Sequence, residues 1–264
     1  MLTLFVEAIS VNAPGLDGWQ NTKSILTGDS KYEDIAMPKY VPKFLPANER
    51  RRTTAVIKLA LQVADAAMQE TDIPANNTCS VFATSEGDTQ IVDQICAALM
   101  SDEPMVSPTH FHNSVHNAPA GYWAMATESR QASTNLSGYS NTYSQRLLEA
   151  ATMVCAENLN TLLVAYDCPP PEPLLGAAPM KSAFGTAQLL GPSQLPTSLA
   201  RLDISLVKDE KTDLMGDSDL EAMRLGNPVA RSLPLLQAIA KRSERTVILP
   251  YHDTLQVSVK YSPC

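Results

Sequence analysis

The chain has 264 residues, of which 44% are hydrophobic and 18% are charged, and its formal net charge is −8 at pH 7. This composition is typical of a globular protein with a sizeable core, and the acidic balance argues against a nucleic-acid backbone as the main partner. No run of residues approaches the roughly eighteen apolar residues that a membrane span needs.

The cysteines indicate a reducing compartment. There are five, widely spaced and without a C-x-x-C pair, which argues against a disulfide framework. Cys79, Cys96 and Cys155 lie in apolar stretches, so we expect reduced core thiols in a cytoplasmic protein. The opening segment, residues 2–11, lacks a basic region before its apolar run and predicts a first strand rather than a signal peptide.

The first two-thirds of the chain predict alternating strands and helices. Residues 16–47 show no periodicity and are predicted to be irregular. The helix at 90–100 has an apolar face that we expect to point inward, formed by Ile91, Ile95, Ala98 and Leu99. The alternation favours a mostly parallel sheet covered by helices. The predicted elements are strand 2–11, helix 47–70, strand 80–83, helix 90–100, helix 117–126, strand 134–137, a helix ending near 158, and strand 161–166.

The last third predicts two further strands, a helix and a hairpin. Residues 208–219 are charged and are predicted to form a surface loop. No internal repeat or persuasive linker interrupts the chain, so we predict one domain over 1–264. The elements are strands 183–190 and 199–207, helix 228–241, and strands 246–251 and 254–261 joined at His252-Asp253.

A small polar turn, Gly138-Tyr139-Ser140, lies between a predicted strand and a predicted helix. This is where α/β folds place reactive side chains, because the helix N-terminus stabilises a developing anion. Ser140 could therefore be a nucleophile, although the second glycine of G-x-S-x-G is missing. With His252 and Asp253 it would make an acyltransferase or thioesterase. Alternatively, Ser140 caps the following helix.

His110, His112 and His116 are spaced closely enough to suggest a metal site. Metal-ligating carboxylates or cysteines are absent from their vicinity in the sequence. We therefore predict neither a metal nor another cofactor.

The segment around residues 107–151 resembles the core of a β-ketoacyl synthase. Asn117-Ala-Pro-Ala-Gly121 is followed after nineteen residues by Ser140 and ten later by Ala150. In that family an N-x-x-A-G helix leads through a strand to an active-site cysteine that begins the next helix. Counted without a gap, the cysteine position falls on Ser140, directly after Tyr139. The two histidine-bearing segments of the family's second half are also missing.

The resemblance implies a thiolase-like layered α/β/α fold, truncated to the first thiolase half and a shortened C-terminal part. Residues 1–167 would be the ketosynthase-like core and 168–264 a reduced extension. Because such a half lacks its usual second set of layers, we expect apolar faces that a partner covers.

The chain is similar to the short chain length factors found beside aryl polyene synthases. This implies a non-catalytic subunit that forms a heterodimer with a catalytic ketosynthase and closes its acyl tunnel, pairing through residues 132–138. A stand-alone scaffold that binds carrier proteins is the other alternative. The residues implied at the tunnel or interface are His110, Phe111, His116, Asn117, Tyr122, Trp123, Tyr139 and Ser140.

The one basic cluster gives a weaker indication. A solvated helix start is its simplest interpretation, and docking of an acidic acyl carrier protein is the alternative. Its members are Lys39, Lys43, Arg50, Arg51 and Arg52.

Overall fold

Nine strands form one mixed sheet in the computed structural model, which describes residues 1–264. The order across the sheet is β4-β3-β5-β6-β1-β7-β9-β8, and the short β2 pairs with β1. The strands are β1 (Leu2–Ala13), β2 (Leu16–Asp17), β3 (Cys79–Ala83), β4 (Ser133–Leu136), β5 (Thr161–Asp167), β6 (Phe184–Gly191), β7 (Ala200–Lys208), β8 (Arg245–His252) and β9 (Leu255–Pro263).

Helices cover both faces of the central strands, which confirms the layered α/β/α arrangement. α3 and α6 pack on one face, and α1, α7 and α10 pack on the other. The helices are α1 (Gly18–Thr27), α2 (Ala47–Arg52), α3 (Ala55–Met68), α4 (Thr89–Leu99), α5 (Pro108–Asn113), α6 (Ala118–Thr127), α7 (Thr142–Glu157), α8 (Glu172–Leu175), α9 (Ser218–Gly226) and α10 (Leu233–Lys241).

The prediction of a mostly parallel sheet is wrong. Only the β3–β4 and β3–β5 pairs are parallel, and all other pairs are antiparallel. The apolar runs of β5 and β6 are continuous because helices cover them on both sides. In β5, Leu163 faces one core and Leu162 and Val164 face the other. A continuous apolar run therefore predicts that both faces of the strand are covered, but it does not predict whether the neighbouring strand is parallel or antiparallel.

The division of the chain at residue 167 does not separate two parts of the sheet. β6 comes from the second segment and lies between β5 and β1 of the first. The expectation of uncovered sheet faces is also wrong for these central strands, because the chain's own helices bury them. β7, β9 and β8 have one buried face, and their other face carries polar residues such as Arg201, Asp203 and Lys260.

Several helices differ from the sequence predictions. α1 lies in the segment predicted to be irregular, α5 lies where no helix was predicted, and α9 overlaps the predicted 208–219 loop. The helix predicted at 47–70 is two helices, because Thr54 accepts a hydrogen bond from the Ile57 N–H and starts α3 anew. The helix predicted at 228–241 begins as a 3-10 helix over Val229–Ser232.

The predicted inward face of α4 is only partly observed, because Ile91 is buried and Ile95 is partly buried, whereas Leu99 is exposed. Val92 and Leu99 are 44% and 54% exposed. Exposed apolar side chains continue beyond the helix at Met100 and Met105. This helix packs against α5, so the apolar surface lies beside the region that the sequence singled out.

The two edges of the sheet differ in how they are covered. At β8, the Asp213 N–H donates to the Ile248 carbonyl over 2.9 Å, and the Ile248 N–H donates to the Asp213 carboxylate over 2.7 Å. At β4, the backbone bonds with β3 use Ala132 and the alternate residues that follow it. The N–H and C=O groups of Ser133 and Asn135 therefore point away from the sheet.

The cysteines are all free, as predicted, but their burial differs. Cys79 is buried, whereas Cys96 and Cys155 are exposed, so the prediction of core thiols is wrong for these two. None of the helices is long and apolar enough to cross a membrane.

Candidate functional site

The turn between β4 and α7 is held by Thr142. Its hydroxyl accepts from the Gly138 N–H at 3.0 Å and donates to the Tyr139 carbonyl at 2.8 Å. A Cβ on Gly138 would lie 2.9 Å from the Thr142 Cα, so the close approach requires glycine. Ser140 lies in a short 3-10 helix, and its hydroxyl makes no hydrogen bond to the protein. Ser140 is therefore not the helix cap.

The strained residue of this turn is Tyr139. Its φ is 51°, in the left-handed region that bulky residues avoid. Where a strand–turn–helix elbow carries a nucleophile, the nucleophile occupies the strained position. By this criterion the nucleophile position of the elbow is Tyr139, one residue before Ser140. Its side chain is 62% exposed, so the elbow presents a phenol.

The structure does not assemble a triad around Ser140. Ser140 lines a cavity of about 190 Å³ beside the elbow. His252 is not among the lining residues; its Nδ1 lies 3.3 Å from the Asp253 carboxylate, and both side chains are largely exposed. The cavity is lined by Ser85, Glu86, Tyr139, Ser140, Ala178, Pro179, Met180, Leu225, Pro228 and Arg231.

The three histidines face different neighbours. The His116 Nε2 is 2.8 Å from the Ser137 hydroxyl, which ties the start of α6 to the end of β4. Burial, and then the nearby Arg146 charge, lower the pKa of His116. The His112 ring stands perpendicular to Tyr122, with ring centroids 6.4 Å apart. No three His, Cys, Asp or Glu residues are grouped so that they could hold a metal ion.

The neighbours His110 and Phe111 line different cavities. His110 is half-buried and lines a cavity of about 730 Å³ with Arg51, Arg52 and Cys168. Phe111 is 70% exposed and lines a groove of about 740 Å³. The other residues that line this groove are Glu49, Arg52, Pro108, His112, Val115, Asn117, Ala118, Gly121, Tyr122 and Met125.

Tyr122 and Trp123 belong to the core of this chain. Trp123 is 5% exposed and meets Phe44 edge-on, with ring centroids 6.2 Å apart. Tyr122 is 3% exposed, and its hydroxyl donates to Asn113 at 3.1 Å. Neither ring projects from the surface, in contrast to Phe111.

The basic residues are divided between two places. Lys39 and Lys43 line a depression that also contains Asp65. Arg51 and Arg52 are exposed on α2, and the Arg52 guanidinium lies 3.3 Å from Glu49. The lysines and these two arginines of the cluster seen in the sequence therefore line different depressions of the surface.

A buried carboxylate that the sequence reasoning missed lies at the end of β5. Asp167 accepts hydrogen bonds from the Thr84 hydroxyl, the Ser85 N–H and the Ser85 hydroxyl at 2.7–2.8 Å. Burial raises its pKa to about 6, and the hydrogen bonds oppose the shift. The sequence did contain a signal for this site. Asp167 ends the apolar strand β5, and the hydroxyl residues Thr84 and Ser85 follow β3, which is parallel to β5.

The layered α/β/α fold, with a strand–turn–helix elbow at one end of its sheet, is thiolase-like. The family model described as "Beta-ketoacyl synthase, N-terminal domain" matches residues 19–249. The chain belongs to this family. No curated protein matches the sequence.

Solved structures share the fold at low sequence identity. The ketosynthase ApeO with its chain length factor ApeC, from Xenorhabdus doucetiae, matches at 20% identity and a TM-score of 0.74, over 98% of this chain and 100% of that chain. The ishigamide ketosynthase/chain length factor matches at 12% identity and 0.74, over 100% and 99%. A β-ketoacyl synthase from Burkholderia phymatum matches at 9% and 0.62, over 92% and 71%. These similarities show the fold alone.

Proposed function

We propose that the chain is a non-catalytic chain length factor, which pairs with a catalytic β-ketoacyl synthase and shapes its acyl tunnel in polyene, polyketide or fatty-acid-like biosynthesis. Membership of the family supports this proposal, as do similar folds in structures described as ketosynthase–chain length factor complexes. The observation that carries it is the elbow, where the strained position holds Tyr139.

Ketosynthase chemistry requires groups that the elbow lacks. Condensation needs a thiolate to hold the acyl chain and imidazoles to assist decarboxylation and stabilise the enolate. A tyrosine and a serine follow Gly138 where a cysteine would be required. No histidine lines the cavity beside them. A subunit of this kind contributes shape to a complex and leaves the bond-forming steps to its partner.

The open edge of β4 is the surface that we assign to the partner. Ser133 and Asn135 direct their backbone groups outward, and an added antiparallel strand would satisfy them. His116 connects this edge to the α5–α6 region through Ser137. There the side chains of Phe111, Val115 and Met125 are 48–70% exposed. An open sheet edge beside exposed apolar side chains is typical of a protein–protein interface.

The acyl tunnel is assigned to the Phe111 side of α5. Its ring is exposed and packs little on this chain, so it is free to project into a partner and limit the length of an acyl chain. Tyr139 is similarly exposed at the elbow. Trp123 is left out of the tunnel because it is buried here, whereas the buried Tyr122 contributes to the wall of the Phe111 groove. Arg51 on α2 is the exposed cation offered to an acidic acyl carrier protein.

Co-expression tests the partnership. The chain should copurify with a catalytic ketosynthase as a one-to-one heterodimer in size-exclusion chromatography with light scattering. Incubated alone with acyl- and malonyl-loaded carrier protein, it should neither acquire an acyl group nor release carbon dioxide. A covalent acyl or fluorophosphonate adduct on Ser140, seen by intact-mass spectrometry, would support the acyltransferase or thioesterase alternative instead.

Product length tests the tunnel. In the reconstituted complex, Phe111→Ala should shift products to longer chains at a similar initiation rate, because removing the ring frees space for further extension. His110→Ala is the matched control, because His110 is next to Phe111 in the sequence but lines the other cavity. This variant should leave the chain length of the products unchanged. If only His110→Ala lengthens the products, the tunnel lies on the other side of α5. If neither does, the length-setting role is wrong.

A further inference from the structure

The cavity beside the elbow contains an arginine without an acidic partner. Arg231 lies in the 3-10 helix before α10, and its Nη1 donates to the Asn141 Oδ1 at 2.9 Å. The Asn141 amide is oriented by a second bond, from its Nδ2 to the Tyr251 carbonyl at 3.0 Å. No carboxylate lies within ion-pair distance of Arg231. The guanidinium is thus held in place with its charge uncompensated.

Burial makes this charge costly. Desolvation, and then the nearby Arg224, lower the pKa of Arg231. Its Nε is enclosed without a hydrogen-bond partner. Arg224 is different, because two hydrogen bonds of 2.6–2.7 Å pair it with Glu221. Of the two neighbouring arginines, only Arg231 would gain strongly from an external anion.

The cavity offers a second donor and an apolar wall. Ser140 and Arg231 both line the cavity, and the Ser140 hydroxyl makes no hydrogen bond to the protein. Ala178, Pro179 and Met180 contribute apolar surface. A cavity of about 150 Å³ admits benzene, so the 190 Å³ here suits a ligand of a few carbons.

The charge balance selects the kind of anion. Glu86 lines the same cavity, so the lining contains one cationic and one anionic side chain. A dianion such as phosphate would be repelled by Glu86 more strongly than a monoanion would. The apolar wall further favours a carbon chain over a fully hydrated inorganic ion.

From these contacts we infer that the elbow cavity is a binding site for a short-chain monocarboxylate, held by Arg231 and the Ser140 hydroxyl with its carbon chain against the Ala178–Met180 wall. The site lies within this chain and is independent of the proposed partnership. Binding measurements on the isolated chain therefore test it even if the chain length factor role is wrong.

The test is a titration of the isolated chain with butyrate, in which binding is monitored by ligand-observed NMR. Saturable binding on the order of millimolar is expected from so few contacts. Arg231→Met should weaken it about tenfold or more, since a charge-assisted bond is lost. Glu86→Gln should tighten it several-fold by removing repulsion. Arg201→Met is the matched control, because Arg201 lies on the polar face of β7 and pairs with Asp203; it should leave binding unchanged.

The opposite directions of Arg231→Met and Glu86→Gln separate a ligand site from damage to the fold. If Arg231→Met does not fold, Ser140→Ala and Glu86→Gln still decide the question, with weaker and tighter binding expected respectively. No saturable binding, or equal binding by all variants, would overturn the inference. Tighter binding of inorganic phosphate than of butyrate would overturn the assignment to carboxylates.

Discussion

The two edge strands of the sheet differ in whether their outward backbone groups are hydrogen-bonded within the chain. At the antiparallel end, Asp213 bonds both backbone groups of Ile248, and its carboxylate also pairs with the Arg245 side chain. At the parallel end, Ser133 and Asn135 direct their backbone groups outward without a partner in the chain. An uncovered edge invites pairing with another chain. The protein protects one edge and leaves the other open, which supports a specific partner at β4.

The surfaces beside the two edges differ in the same sense. The open face of β7 and β9 alternates polar residues with buried apolar ones, as a solvated antiparallel sheet does. In contrast, Leu99 of α4 and Phe111 of α5 are exposed apolar side chains on neighbouring helices. The polar face of β7 and β9 is stable in water, whereas burial of the exposed apolar side chains by a partner would be favourable. Four experiments test this comparison.

The largest expected effect is the difference in stability loss between a buried and an exposed aromatic residue. Trp123→Ala should lower the free energy of unfolding by about 3–5 kcal/mol, because it empties a buried site. Phe111→Ala should change the free energy by no more than about 0.5 kcal/mol, because the ring is exposed. Urea unfolding of the isolated chain measures both. A loss for Phe111→Ala as large as that for Trp123→Ala would mean that Phe111 is a core residue.

The next effect concerns the open edge itself. Ser133→Pro removes an outward N–H while Ser133→Ala keeps it, and both lose the hydroxyl contact with Ser80. With a ketosynthase partner, Ser133→Pro should weaken the heterodimer at least about tenfold relative to Ser133→Ala, because an interface acceptor loses its donor. Titration by analytical ultracentrifugation measures both constants. Equal constants would place the interface elsewhere.

A third experiment uses the buried charge at the parallel end. Asp167 retains its proton to about pH 6 when folded, whereas an unfolded Asp releases it near 3.9. Between about pH 4 and 6 the folded state binds more protons, so raising the pH lowers the free energy of unfolding by roughly 2–3 kcal/mol. Asp167→Asn should remove this slope in urea titrations across that range. An unchanged slope would assign it to other groups.

The smallest effect concerns the protected edge. Asp213→Ala should lower the free energy of unfolding by about 1–2 kcal/mol, because the Ile248 N–H loses its acceptor. It should also increase self-association in light scattering, since the edge of β8 becomes accessible. Arg245→Ala is the control: its partly exposed ion pair should contribute less than about 1 kcal/mol and leave the edge covered. Unchanged association in Asp213→Ala would mean that other features protect this edge.

The sequence predicted most elements with strong periodicity or long apolar runs. β5 and β6 were found within one or two residues of their predicted bounds, as was the hairpin at the end of the chain. α1 and α9 were missed because their buried positions are few among polar residues. Their signals were capping residues: Gly28 adopts φ 88° after α1, and Asp217 accepts two N–H bonds at the start of α9.

The sequence by itself determined the family, the elbow and the missing cysteine, because these depend on residue types at short spacings. Tertiary structure alone decided which edge stays open, which aromatic rings are buried, and that Arg231 reaches the cavity beside Ser140. Asn141 and Arg231 are ninety positions apart and are bonded through side chains. Periodicity records whether a residue has a buried face, but the partner across that face is set by how distant strands and helices pack.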